Sequence, residues 1–181
     1  AVQRSRNRLQ MALDYGADVG VCSSEEDAVA RGERRADWQA RPPFEVDYAL
    51  GVALGAPRSV WERVGLLEES FFLYYEETDW CVRARRAGVT LLAVPGSCIW
   101  HESASHGGRT APYITYYMTR NALYFLRRNL PGRQSVRPIL RSAAQSLWYV
   151  TGDLRHGQVE RARARLRGLR DFALGRSGPL R

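Results

Sequence analysis

Apolar positions along the chain predict short strands alternating with helices over the first two thirds and helices alone thereafter. Leu9, Ala12 and Leu13 share one face in residues 8–15, and Gly16 marks a helix stop. Residues 19–22 form a short apolar run suited to a buried strand. Residues 23–43 are polar and end in Pro42-Pro43, as a surface loop does. Residues 46–54 are apolar and small around Gly51, which suits a strand or turn closely approached by a ligand or another backbone. Pro57 can open a helix running to Val64, and Gly65 can close it.

An aromatic run at 71–75 reads as a short buried strand or loop, and a helix is expected over 78–87. Acids stand at that helix's start, Arg83, Arg85 and Arg86 stand late, and Gly88 follows as a stop. A strand over 89–94 closes at Pro95, and Ile99-Trp100 lead to His101 and a Gly-rich loop. Residues 113–129 are helical in pattern, Pro131-Gly132 breaks the chain, and helices follow over 136–150 and 159–173. The apolar side of 136–150 is expected to pack inward. Val159, Ala162, Leu166, Leu169 and Ala173 form one stripe. Arg161, Arg163, Arg165, Arg167 and Arg170 are expected on the surface left over.

Charge divides the chain unevenly. Residues 1–119 hold 13 Arg and 16 acids, whereas residues 120–181 hold 14 Arg and 3 acids. The whole excess of +8 therefore comes from the last third, whose arginines suit phosphates on lipids, on polymers or on a pyrophosphate-linked substrate. Helices over 155–176 could lie on an anionic membrane or simply present a solvated face. No nucleic-acid-binding motif accompanies the charge. Cys22, Cys81 and Cys98 form no CxxC pair, which excludes a disulfide framework and fits a reducing cytoplasm. No signal-peptide pattern opens the chain, and no apolar run nears the roughly 18 residues of a membrane span. The chain opens on Ala1, so the natural start is expected upstream.

The richest chemistry lies at Glu76, Glu77 and Asp79, three carboxylates in four positions behind Phe71, Phe72, Tyr74 and Tyr75. One acid at a helix start needs no function, because the free N–H groups and the dipole favour it. Three acids beside aromatic rings repel and desolvate one another, which raises pKa and can make one a base near neutral pH. His101 lies 24 residues beyond Glu77, at the end of an expected strand, where it can contact a ligand or substrate.

These residues carry a resemblance. The ordered block Val46-Asp47-Tyr48, Gly51, Arg58, Val64-Gly65, Glu69, residues 71–84, Gly88, Pro95 and His101 resembles family 2 glycosyltransferases, especially bacterial rhamnosyltransferase-like and galactofuranosyltransferase-like members. Arg120-Asn121 and the run Arg167-Gly168-Leu169-Arg170-Asp171 are similar to that family's tail. The resemblance implies an α/β chain with a partial GT-A (nucleotide-diphospho-sugar transferase) fold, a mixed sheet flanked by helices, and a C-terminal helical extension. Residues 1–130 would be the later part of the catalytic domain and 131–181 a basic amphipathic tail. It also implies a nucleotide-diphospho-sugar donor, a divalent metal (Mg or Mn), a glycan or lipid-linked acceptor, and inversion at the anomeric carbon. Glu77 would be the base, with Glu76 and Asp79 holding the acceptor or the helix start. Gly51, Trp80 and Arg83 would serve substrate binding, and His101 would join the metal shell.

The family's metal-binding Asp-x-Asp does not occur in this sequence, and Glu25-Glu26-Asp27 falls in an expected loop. The chain therefore reads as the carboxyl-terminal part of such a domain, placed in the cytoplasm or peripherally at the inner membrane face and binding donor weakly alone. The competing reading is a non-catalytic module whose Arg-rich tail contacts anionic membrane or polymer.

Overall fold

A computed structural model describes the backbone of residues 19–22 and, in full, residues 39–97 and 111–180. The chain divides into two compact units, residues 1–67 with 80–102, and residues 68–79 with 103–181.

The first unit holds a four-stranded mixed sheet in the order β2-β4-β1-β3. Its strands are β1 (Val19–Cys22), β2 (Phe44–Glu45), β3 (Leu54–Gly55) and β4 (Leu91–Val94). The central pair β1 and β4 is parallel, with Gly20 opposite Leu92, and both outer strands run antiparallel to their neighbours. The stretch 46–54, expected as one strand or turn, is divided: a 3₁₀ turn at Gly51–Ala53 leads into the two-residue β3.

Helix α1 (Arg58–Val64) follows Pro57 and ends at Gly65, whose φ of 85° is costly for any side chain. Helix α2 (Glu76–Arg86) starts two residues before the expected position and gives its second half to this unit. There Trp80, Cys81 and Ala84 join Ala49, Val60, Val89 and Leu91 in the core. Burying an indole of this size contributes about 3 kcal/mol. Its Nε1–H donates to the Gly65 carbonyl at 2.7 Å, and its ring lies 4.6 Å from that of Trp61. Arg83 donates to the Val64 and Leu66 carbonyls at 2.6 and 2.7 Å, satisfying oxygens that the end of α1 leaves open.

The second unit is built on α3 (Pro112–Asn129), α4 (Val136–Arg155) and α5 (Val159–Ala173). Proline at the first position of α3 loses no intrahelical bond. Gly168 is where α5 meets α3: a Cβ there would stand 2.9 Å from the Tyr116 carbonyl oxygen. Three positions further, buried Asp171 accepts from the Tyr116 hydroxyl at 3.0 Å. Asp153, also buried, joins α4 to α5 by accepting from Arg165 at 2.7 Å.

The tail helices depart from their expected facing. Val159 and Leu166 are exposed, while Ala162, Gly168 and Asp171 are buried. Arg161 and Arg165 are drawn inward to Asp153 instead of standing on the surface. On α4 the buried residues are Ser146, Val150 and Asp153, and the larger apolar side chains face out. Small residues and charge pairs hold these helices together, so the leucine pattern does not mark the packed side. Among the described residues no helix is long and apolar enough to cross a membrane.

Candidate active site

Within the second unit, the chain approaches α2 through a turn of unusual backbone. Phe72, Tyr74 and Tyr75 have φ of 64°, 66° and 76°, a region where each side chain costs about 1–3 kcal/mol. Such a turn persists only when its surroundings over-determine it. The fully buried Asn121 of α3 does so with a single amide: its two Nδ2–H donors are shared among the carbonyls of Phe71, Leu73 and Tyr74, at 2.9, 2.8 and 2.9 Å from Nδ2. Arg120, also buried, donates to the Phe71 carbonyl at 3.0 Å and to Gly178 at 2.8 Å. The guanidinium lies 5.2 and 5.1 Å from the ring centres of Tyr116 and Tyr117, where cation–π attraction offsets its burial.

The same face of α3 continues along the start of α2. Phe125 lies 5.6 Å from the Tyr75 ring. One turn on, Arg128 Nε and Asn129 Nδ2 donate to Asp79 Oδ1 at 3.1 and 2.9 Å, and Arg128 also pairs with Glu68 at 2.9 Å. Asp79 is fully enclosed. Its carboxylate ties the first turn of α2 to α3.

Glu76 and Glu77 are only partly buried. Burial pushes the Glu76 carboxyl above its ordinary pKa, a bond from its own backbone N–H opposes this, and the Glu77 charge adds to the rise. Glu76 Oε2 is shielded and has no hydrogen-bond partner among the described residues. Neighbouring phenols respond to the same charges. Tyr74 is raised by burial first, then by Tyr113, Glu76 and Glu77, and Tyr75 by burial and then Glu77. Glu76 and Glu77 thus both act on Tyr74, and Glu77 also on Tyr75, while Tyr113 lies near Tyr74 and, with Phe72, is open to solvent. Carboxylates accept from hydroxyls and rings offer flat apolar faces, a combination suited to a polyhydroxylated ligand.

The other sequence candidates lie elsewhere. Trp80 and Arg83 belong to the first unit, one wholly enclosed and the other engaged with the end of α1. Gly51, in the same unit, is exposed on its 3₁₀ turn. His101 and Glu25-Glu26-Asp27 fall outside the described residues. Among the described residues no three His, Cys, Asp or Glu side chains converge to hold a metal, and Asp79 is already committed to Arg128 and Asn129. Sequence reasoning gave no role to Arg120, Asn121, Arg128 or Asn129. The signal was the polar pair Arg120-Asn121 within an otherwise aromatic and aliphatic stretch of helix.

Comparison with known proteins gives partial matches. Over 46 residues the chain is 48% identical to a protein of Haloferax volcanii named low-salt glycan biosynthesis hexosyltransferase Agl10, a match covering 25% of this chain and 15% of that protein. Over 111 residues it is 26% identical to the dTDP-rhamnosyl transferase RfbF of Shigella flexneri, covering 56% of this chain and 38% of the relative. The chain thus spans well under half the length of either relative. No family model matches it, and no solved structure does. The similarity found is to portions of two proteins named as sugar transferases.

Proposed function

We propose that this chain forms the acceptor side of an inverting, nucleotide-sugar-dependent glycosyltransferase of family 2, with a GT-A fold, in which Glu77 is the base. The supporting observation is the strained aromatic turn, fixed by buried Asn121 and Arg120, immediately before Glu76 and Glu77. Backbone held this far from its resting state beside paired carboxylates is characteristic of a site whose side-chain positions matter.

In this reading an acceptor hydroxyl rests against the Tyr74 and Tyr113 side. Glu77 takes its proton as the oxygen attacks the anomeric carbon of the donor. The bond from that carbon to the diphosphate breaks, its electron pair leaves on the phosphate oxygen, and configuration inverts. General-base assistance of this kind is worth about 10²–10⁴-fold. Glu76 flanks the base and orients the acceptor. Asp79 keeps the first turn of α2 in place, and Trp80 and Arg83 support the same helix further along. Gly51 remains a proposed substrate contact. Divalent-metal dependence and a role for His101 belong to the proposal and are tested by chelation, with loss of donor binding expected.

The relative named a dTDP-rhamnosyl transferase makes dTDP-hexoses the first donors to assay, with glycan and lipid-linked acceptors. Proton NMR of the first product formed by the whole protein reads the anomer directly. Inversion relative to the donor is expected, and a retained anomer would rule the single displacement out.

A further inference from the structure

Helix α4 turns an apolar stripe to solvent. Val136, Leu140, Leu147 and Leu154 are separated by four, seven and seven positions, so at about 100° per residue they fall within about 40° of one another around the helix. All four are exposed, Leu140 by 64%. Arg137, Arg141 and Arg155 border the stripe on one side, and Trp148 stands among them, 68% exposed. Arg133, Val136, Arg137, Leu140 and Arg141 line an open recess of about 660 Å³ at the N-terminal end.

Charge separates this helix from its neighbour. On α5, Arg161 and Arg165 pair with Asp153, Arg163 with Glu160, and Arg167 and Arg170 with Asp171. Arg133, Arg137, Arg141 and Arg155 make no ion pair among the described residues. The one acid of α4, Asp153, is buried on the opposite side. The exposed face of α4 therefore combines leucines, a tryptophan and uncompensated arginines with no acid.

We propose that this face of α4, and not the arginine-rich α5, docks on an anionic phospholipid bilayer. The leucine stripe enters the boundary between headgroups and acyl chains, Trp148 sits at headgroup level, and the arginines meet lipid phosphates. A second copy fits less well, because a two-fold pairing through this face would bring like-charged arginines together. The proposal stands apart from the transferase reading, since it needs no catalytic residue.

The test is co-sedimentation of the protein with vesicles of phosphatidylcholine alone or with 30 mol% phosphatidylglycerol at 0.1 M NaCl. Binding to the anionic vesicles alone is expected, weakening at 0.5 M NaCl. Arg137→Glu/Arg141→Glu is expected to lower the partition coefficient by at least about 10-fold, at roughly 1 kcal/mol per arginine near the surface. Leu140→Glu/Leu147→Glu is expected to abolish binding, whereas Arg163→Glu/Arg170→Glu should leave it unchanged. Quenching of tryptophan fluorescence by brominated lipid, lost in Trp148→Phe, places the helix directly and needs no charge reversal. Absence of binding to anionic vesicles overturns the proposal. So does equal loss in the α5 variant, or dimerisation abolished by Leu140→Glu/Leu147→Glu with no vesicle binding.

Discussion

Asn121→Ala removes a single side-chain amide and tests the clamp on the aromatic turn. In the native turn that amide serves three carbonyls, at Phe71, Leu73 and Tyr74. Arg120 still reaches the Phe71 oxygen after the change, so Leu73 and Tyr74 are the carbonyls that lose this donor. Stranding a partly buried acceptor costs about 1–3 kcal/mol, and partial water access favours the lower half of that range. Two such losses give a destabilisation of about 2–4 kcal/mol. At about 2–4 °C per kcal/mol for a chain of this size, the unfolding midpoint should fall by roughly 4–16 °C. The three left-handed residues then lose what holds them, and the turn relaxes toward ordinary backbone. Calorimetry reads the midpoint, and amide hydrogen exchange over 71–79 reads the local release. A midpoint within about 1 °C of wild type, with unchanged protection over 71–79, would refute the clamp.

Further changes test the other contacts. Gly168→Ala gains helix propensity of about 1 kcal/mol but drives a methyl to 2.9 Å from the Tyr116 carbonyl oxygen. Overpacking of about 1–3 kcal/mol should win, lowering the midpoint by several degrees in thermal unfolding. The raised pKa of Glu76 means that its contribution to stability is complete below the ordinary carboxylate pKa and is lost as pH rises through the higher folded value. Glu76→Gln should therefore gain on wild type from pH 4 to pH 7, whereas parallel midpoints across that range would contradict the burial cause. At Asp171 burial pushes upward, but hydrogen bonds from Arg170 and Tyr116 with the charges of Arg170 and Arg176 outweigh it, and the carboxyl lies below its ordinary pKa. Its stabilisation is present above about pH 4 and is lost as pH falls through the folded value. Asp171→Asn should cost about 2 kcal/mol at pH 7, after discounting for the solvent around its arginines, and progressively less as pH falls below about 4, by urea unfolding.

Much of the fold was legible because its punctuation is local. Pro57 and Gly65 bracket α1, Gly88 follows α2, and Pro131-Gly132 separates α3 from α4. The left-handed turn was not legible, because aromatic residues at 72, 74 and 75 give no sign of positive φ and the groups that enforce it lie about fifty positions away on α3. The carboxylate cluster was visible at 76–79, but the division of labour within it was not. Arg128 and Asn129 decide that Asp79 is enclosed, and burial decides that Glu76 is the carboxyl pushed upward. Facing of the tail helices also escaped the pattern. A leucine stripe tells that a helix is two-sided, but contacts at Gly168, Asp171 and Asp153 decide which side packs.

The most direct measurement of the proposed chemistry is the single-turnover rate of sugar transfer by the whole protein with Glu77 and with Glu77→Gln, alongside donor affinity for each. The expected result is a fall of at least about 100-fold in the transfer rate with donor affinity changed less than about threefold. Transfer by Glu77→Gln at the wild-type rate would contradict the assignment of Glu77 as the group that takes the acceptor's proton.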